Sequence, residues 1–257
     1  MNARQGFARY LEQRLALGER NVTFAEPTES GMEPRAKSED DAPNWLDGAP
    51  DIPPVGITIE APETHLFDQD PIGSLDLDAL VPVIQSCRKC GLCDGRTNAV
   101  PGEGPANARL MVIGEGPGAT EDQTGRPFVG RAGQLLNDIL SAIDCPRETV
   151  FIGNVVKCRP PNNRDPEPDE ITQCLPYLNR QIELIHPAVI LAMGRTAACT
   201  LLDTRNSLSS LRNKIHTYRG IPLIVTYHPA ALLRNPHWKK PTWDDVRIAR
   251  RIVAGQY

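Results

Sequence analysis

The sequence predicts an α/β protein, a three-layer α/β/α sandwich around a four-stranded parallel sheet. Three observations predict it. Four short apolar runs, residues 108–113, 150–156, 188–193 and 222–227, each end in a glycine or polar turn. Helical patterns lie between or after them, at 130–143, 169–185, 195–202 and 243–253. Hydrophobic residues make up 40% of the 257, enough for a sizeable core. Strands that alternate with helices join in parallel and carry helices on both faces.

Along the chain, residues 5–19 place Phe7, Tyr10, Leu11, Leu15 and Leu17 at helical spacing, which predicts a short amphipathic helix. Residues 25–73 hold eight prolines and many acids with little periodicity, the composition of a disordered linker. The texture changes at residue 76, where Leu77, Leu80, Val81 and Ile84 mark a helix running into the first cysteines. We therefore expect an acidic, Pro-rich, mostly disordered extension over 1–75 and a folded domain over 76–257.

Charge divides at the same place. Residues 1–75 carry 6 Lys/Arg against 14 Asp/Glu, and the rest carry 22 against 18. The second part permits contact with a polyanion and the first does not. No apolar run approaches the length of a bilayer span, and Glu12 and Glu19 interrupt the first twenty residues, unlike a secretory leader. The expected location is the cytoplasm, with no membrane partner.

Seven cysteines in a reducing compartment point to metal or redox chemistry before disulfides. Cys87 and Cys90 form a C-x-x-C pair, Cys93 follows at the same spacing, and Cys158 and Cys174 flank a Pro-rich loop. Two thiolates from a tight turn and two from a distant loop close one site. Spacing alone leaves zinc and iron–sulfur level and Cys93 in contention. Cys145 and Cys199 read as core thiols.

In parallel α/β folds, ligands sit beyond the carboxyl ends of the strands. The first run ends in Gly114-Glu-Gly-Pro-Gly-Ala119, a weak dinucleotide signal. Pro117 lies inside it and residues 120–127 read as a turn, with no helix there to receive a pyrophosphate. Phe128 is one of few aromatics, Asn154 interrupts the second run, and His228 follows the fourth. Each has an ordinary structural reading as core, turn or cap. Together with the carboxylate of Glu121 they suggest a pocket for a planar polar heterocycle.

The stretches GEGPGATEDQTGRPFVGRAGQLLN, NVVKCRPPNNRDPEPDE and HPAALLRNP, in that order, resemble the family 4 uracil-DNA glycosylases, base-excision enzymes that carry a [4Fe–4S] cluster. The resemblance spans residues 85–252 and makes 76–257 a glycosylase domain. It implies cluster ligands at Cys87, Cys90, Cys158 and Cys174, with Cys93 outside the set. It implies a uracil pocket of Glu115, Gly116, Glu121, Phe128, Asn154 and His228.

In that reading Asn154 pairs with uracil O4 and N3–H, and Phe128 stacks on the flipped base. His228 donates toward O2 as the base leaves, and Glu121 positions water or steadies the sugar cation. The partner is uracil-containing DNA, single- or double-stranded, bound by a monomer. Arg131 and Arg234 are expected phosphate contacts, the loop between Cys158 and Cys174 is expected to present Arg159 and Arg164 to DNA, and Leu232 or Leu233 is the expected wedge filling the vacated stack. No lysine stands out as a Schiff-base nucleophile. Residues 159–166 lack the histidine with which a related branch captures its product, so turnover is expected. Competing readings are a broader deaminated-base glycosylase, a non-catalytic DNA-binding module and an electron carrier; the pocket residues disfavour the last.

Overall fold

The computed structural model describes residues 72–256. The expected helix at 5–19 and the disordered extension lie outside the described residues. The packed chain reaches back at least to Ile72, which is buried against the core, and Arg180 ties down the Leu75 carbonyl at 2.8 Å.

Helix α1 (Leu77–Ser86) starts where the Asp76 carboxylate caps the Ala79 N–H at 2.8 Å, and it buries Leu80 and Ile84. Strand β1 (Leu110–Gly114) runs into the glycine loop. The next segment departs from the expected turn: Ala119–Thr124 forms a short helix, α2. Its residues tolerate helix, its first-turn acids Glu121 and Asp122 suit the positive end of the dipole, and left-handed Gly125 (φ 70°) stops it.

Helix α3 (Arg131–Ala142) leads to β2 (Phe151–Asn154). Helix α4 (Pro168–Ile185) opens on a reciprocal Glu167/Glu170 cap with Pro168 at its first position. Then follow β3 (Val189–Met193) and α5 (Arg195–Leu202). The chain next makes a strand the sequence reading does not contain, β4 (Ile215–Tyr218), before β5 (Ile221–Thr226), α6 (Pro229–Arg234) and α7 (Lys239–Val253).

The sheet order is β2-β1-β3-β5-β4. The first four are the expected parallel strands, and β4 adds an antiparallel edge. Alternate residues face opposite layers. Met111, Ile113, Ile190 and Ala192 pack with Leu80, Tyr177, Leu178 and Ala198 from α1, α4 and α5. Leu110, Val112, Val189 and Leu191 pack with Leu136, Leu140 and Val246 from α3 and α7. A sheet covered on both faces needs continuous apolar strands, which is why those four are legible as runs. The α/β/α sandwich stands as expected, with one strand more.

Register fixes the site. Gly114 pairs with Asn154 across β1 and β2, so the glycine loop and the asparagine end at one level.

Candidate active site and cysteine centre

A cleft of about 780 Å³ opens at the carboxyl ends of the parallel strands. It is lined by all six residues of the expected pocket: Glu115, Gly116, Glu121, Phe128, Asn154 and His228.

Phe128 is 6% exposed and held at φ 51°, a conformation that costs an aromatic residue energy. Two groups impose it. Arg147 donates to the Phe128 and Pro127 carbonyls at 3.0 and 2.6 Å and is itself fixed by Glu103 and Asn137. Glu121 Oε1 accepts the N–H groups of Val129 and Gly130 at 2.9 and 2.8 Å. Gly133 lets α3 press against this turn, since a Cβ there would stand 1.9 Å from the Phe128 carbonyl oxygen. Glu121 thus has a structural task, and its Oε2 sits against Gly118.

Asn154 ends β2 and is 1% exposed. Its Oδ1 is buried and has no hydrogen-bond partner. An orphaned buried acceptor costs about 1–3 kcal/mol, and a donor arriving with a ligand would satisfy it. Gly114 supplies the room: a Cβ there would meet Asn154 Oδ1 and Phe128 Cζ, each at 2.5 Å.

His228 caps α6, and its ring lies 5.5 Å from that of Phe128 at 32°. Burial drives its pKa down to about 4, with Arg234 adding to the fall and Glu121 opposing it. Glu115 is half-buried and accepts the Thr196 hydroxyl at 2.5 Å. Burial raises its carboxyl pKa, the Thr196 bond offsets part of that, and Asp165 adds to the rise.

The nucleic-acid candidates separate. Arg164 and Arg234 line the cleft, whereas Arg131 and Arg159 lie outside its lining. Arg164 already grips both oxygens of Glu170, at 2.9 and 2.7 Å, and Arg159 donates to Asn163 Oδ1 at 2.8 Å. Leu232 is 1% exposed while Leu233 is 40% exposed. A wedge must reach solvent, which Leu233 does and buried Leu232, against expectation, does not.

Several contributors have no place in the sequence reading. Thr196 follows β3 at the same sheet end, and that position is its only sequence signal. Tyr227 and Trp238 stack at 4.6 Å on the cleft wall, and Arg212 sits 4.2 Å from the Tyr227 ring centroid. Arg147 acts through backbone carbonyls, which leave no motif.

Behind the sheet end, Cys87, Cys90, Cys158 and Cys174 ring a small void, and Cys93 borders it too. Among the described residues, no three His, Cys, Asp or Glu side chains converge as one metal ion requires. Four thiols around one void are compatible with a metal centre, zinc or iron–sulfur. Two donors face these sulfurs: Arg96 Nη1 donates to Cys158 Sγ at 3.0 Å and the Lys157 N–H to Cys174 Sγ at 3.2 Å. Without a metal, burial holds the Cys174 thiol pKa up at about 12, countered by Lys157. Cys145 is buried in the core, and Cys199 is half-buried on α5.

Fold and cleft define an α/β protein with a cleft at the carboxyl ends of its parallel strands, lined by an aromatic ring, a buried amide, an imidazole and two carboxylates. Residues 101–248 match the model of the uracil DNA glycosylase superfamily. The chain is 46% identical over 190 residues to the type-4 uracil-DNA glycosylase of Saccharolobus solfataricus, covering 70% of this chain and 88% of that one. It is 49% identical over 174 residues to the type-4 enzyme of Thermotoga maritima, covering 66% and 91%. Similarity to the type-5 uracil-DNA glycosylase of Thermus thermophilus is lower, 29% over 195 residues. The chain belongs to the uracil DNA glycosylase superfamily and, within it, to the type-4 family.

Proposed function

We propose that this protein removes uracil from DNA by hydrolysing the N-glycosidic bond of a flipped deoxyuridine, leaving an abasic site for base-excision repair. The observation that carries the reading is the orphaned Oδ1 of Asn154 beside the Phe128 ring. Uracil offers N3–H to that oxygen and O4 to the amide nitrogen. Cytosine offers the reverse, and a site built for one pattern rejects the other by about 10⁴. Phe128 takes the face of the base.

As the bond breaks, charge develops on the pyrimidine. His228 meets it as a neutral donor at Nε2, because its Nδ1 accepts the Ala230 N–H. Glu121 Oε2 positions the attacking water or steadies the sugar cation, and Glu115 borders the same space. Among the described residues the cleft lining contains no lysine, which supports a reading with no Schiff base, in which the strand is left uncut. Arg234 and Arg131 contact phosphates, and the loop ahead of α4 presents Arg159 and Arg164 to the DNA.

Cys87, Cys90, Cys158 and Cys174 are assigned to a [4Fe–4S] cluster. When bound, it supplies cross-linking of α1, the end of β2 and α4, and no redox step is needed for hydrolysis. We assign residues 76–257 to this activity, in a cytoplasmic monomer. Among the described residues no helix is long and apolar enough to cross a membrane.

The test is incubation of brown, iron-containing protein with a single-uracil oligonucleotide, followed by alkali. Alkali-dependent cleavage at the uracil is expected. Intact oligonucleotide after treatment with folded, iron-loaded protein overturns the reading in favour of a DNA-binding module. Parallel hypoxanthine and xanthine substrates measure breadth.

A further inference from the structure

Lys157 is enclosed by protein, 1% exposed. Its ammonium donates to the Asn154 backbone carbonyl at 3.0 Å and to Gln181 Oε1 at 2.7 Å. Gln181 is anchored in turn, its Nε2 donating to the Pro101 carbonyl at 2.8 Å. Both acceptors of the ammonium are neutral. Among the described residues no carboxylate lies within ion-pair distance of it. Burying an ammonium beside neutral groups alone is unfavourable, and a leucine or methionine would fill the same space without that cost.

Bound to a metal centre, the neighbouring cysteines would supply an opposite charge. The backbone N–H of Lys157 bonds Cys174 Sγ, Cys158 is the next residue, and Lys157 lines the void that the four cysteines ring. Metal-bound cysteine is thiolate, an anion. One side chain therefore touches both halves of the molecule's chemistry.

We propose that Lys157 is a positioning residue linking the thiolate centre to the base reader: its ammonium is the internal counter-charge of the thiolates and fixes Asn154 through its carbonyl. Asn154 sits three residues upstream at the end of β2, and its amide needs one orientation to tell uracil from cytosine. The inference rests on the uracil-excision reading. It adds that occupancy of the cysteine site and discrimination at the base pocket are coupled through this one side chain.

The experiment uses the full chain with its iron, wild type and Lys157→Met, an uncharged residue of similar length. Iron release to a chelator is followed by the loss of visible absorbance. Affinity is measured for an oligonucleotide bearing non-cleavable 2′-fluoro-deoxyuridine against its 2′-fluoro-deoxycytidine counterpart. Circular dichroism checks folding. Iron release about tenfold faster and a uracil preference about tenfold weaker are expected, the scale on which partners of metal ligands act.

A folded Lys157→Met that keeps its iron at the wild-type rate, or keeps the wild-type preference, overturns the link. If Lys157→Met does not fold, Gln181→Leu keeps the charge and removes one tether. Preference should then fall while iron release stays unchanged, and wild-type preference in that variant also overturns the link. A wild-type chain with no preference for uracil sinks the functional reading and the link together, whereas wild-type preference retained in the variants sinks the link alone.

Discussion

His228 Nδ1 accepts the backbone N–H of Ala230 at 3.2 Å, which puts the ring's proton on Nε2. The cap that starts α6 therefore also selects the tautomer that faces the cleft.

That relationship sets a pH dependence. The folded ring titrates at about 4 against 6.5 for an unperturbed histidine, because burial and Arg234 disfavour the cation. Between those values the unfolded chain takes up a proton that the folded chain refuses. Stability from this group is thus complete above pH 6.5 and falls as pH drops toward 4. Melting temperatures of wild type and His228→Gln, compared across that range, should show the wild-type advantage shrinking with acidity. An advantage that stays constant would contradict the neutral ring. Excision in the wild type should show no inflection near 6.5 from this residue.

Asn154→Ala separates function from stability. It removes the amide proposed to pair with the base, so excision should fall about 100-fold or more, the loss typical of one preorganised polar group. Binding to uracil-free DNA should not change. Because the buried Oδ1 has no partner in the free protein, its loss should leave the melting temperature equal or higher. Single-turnover excision and a thermal melt check both halves. An active variant, or one that unfolds early, would show that Asn154 serves the fold.

The parts of this site legible in the sequence, and the parts hidden, follow from how each residue is used. Asn154, Phe128 and His228 stood out because each breaks the texture around it. The four parallel strands stood out because both faces are buried. Strand β4 did not, because it is a half-exposed edge and its hairpin turns on Arg219 and Gly220, both at positive φ, instead of the usual Asn-Gly. Lys157 leaves only a faint sequence signal, a lysine at the end of an apolar run beside a cysteine. Leu232 and Leu233 could not be told apart by type, since only burial divides them.

Two glycines should prove as sensitive as the polar residues. At Gly114 an alanine Cβ would press on Asn154 Oδ1 and Phe128 Cζ at 2.5 Å, inside the space a base would use. Gly114→Ala should therefore reduce excision more than tenfold, about 1.4 kcal/mol, with the fold retained. At Gly133 the Cβ meets the Phe128 carbonyl at 1.9 Å, backbone that cannot swing aside. Gly133→Ala should cost about 1–3 kcal/mol of stability as well as activity. Denaturant melts with excision assays distinguish the two, and wild-type behaviour at both positions would refute the packing described for Phe128.

The adjacent leucines offer the sharpest contrast. Leu232 is buried, and truncating it to alanine should destabilise the fold by about 2–5 kcal/mol. Its effect on excision should be the same for single- and double-stranded substrates. Leu233 projects into solvent at the end of α6, close to Arg234. Leu233→Ala should leave the melting temperature unchanged yet slow excision from duplex DNA roughly tenfold, since opening the stack costs a few kcal/mol that an inserted side chain offsets. Single-stranded DNA has no stack to fill, so its excision should persist at the wild-type rate. A Leu233→Ala variant equally slowed on both substrates would remove the wedge from the mechanism and leave Arg234 as the neighbouring DNA contact.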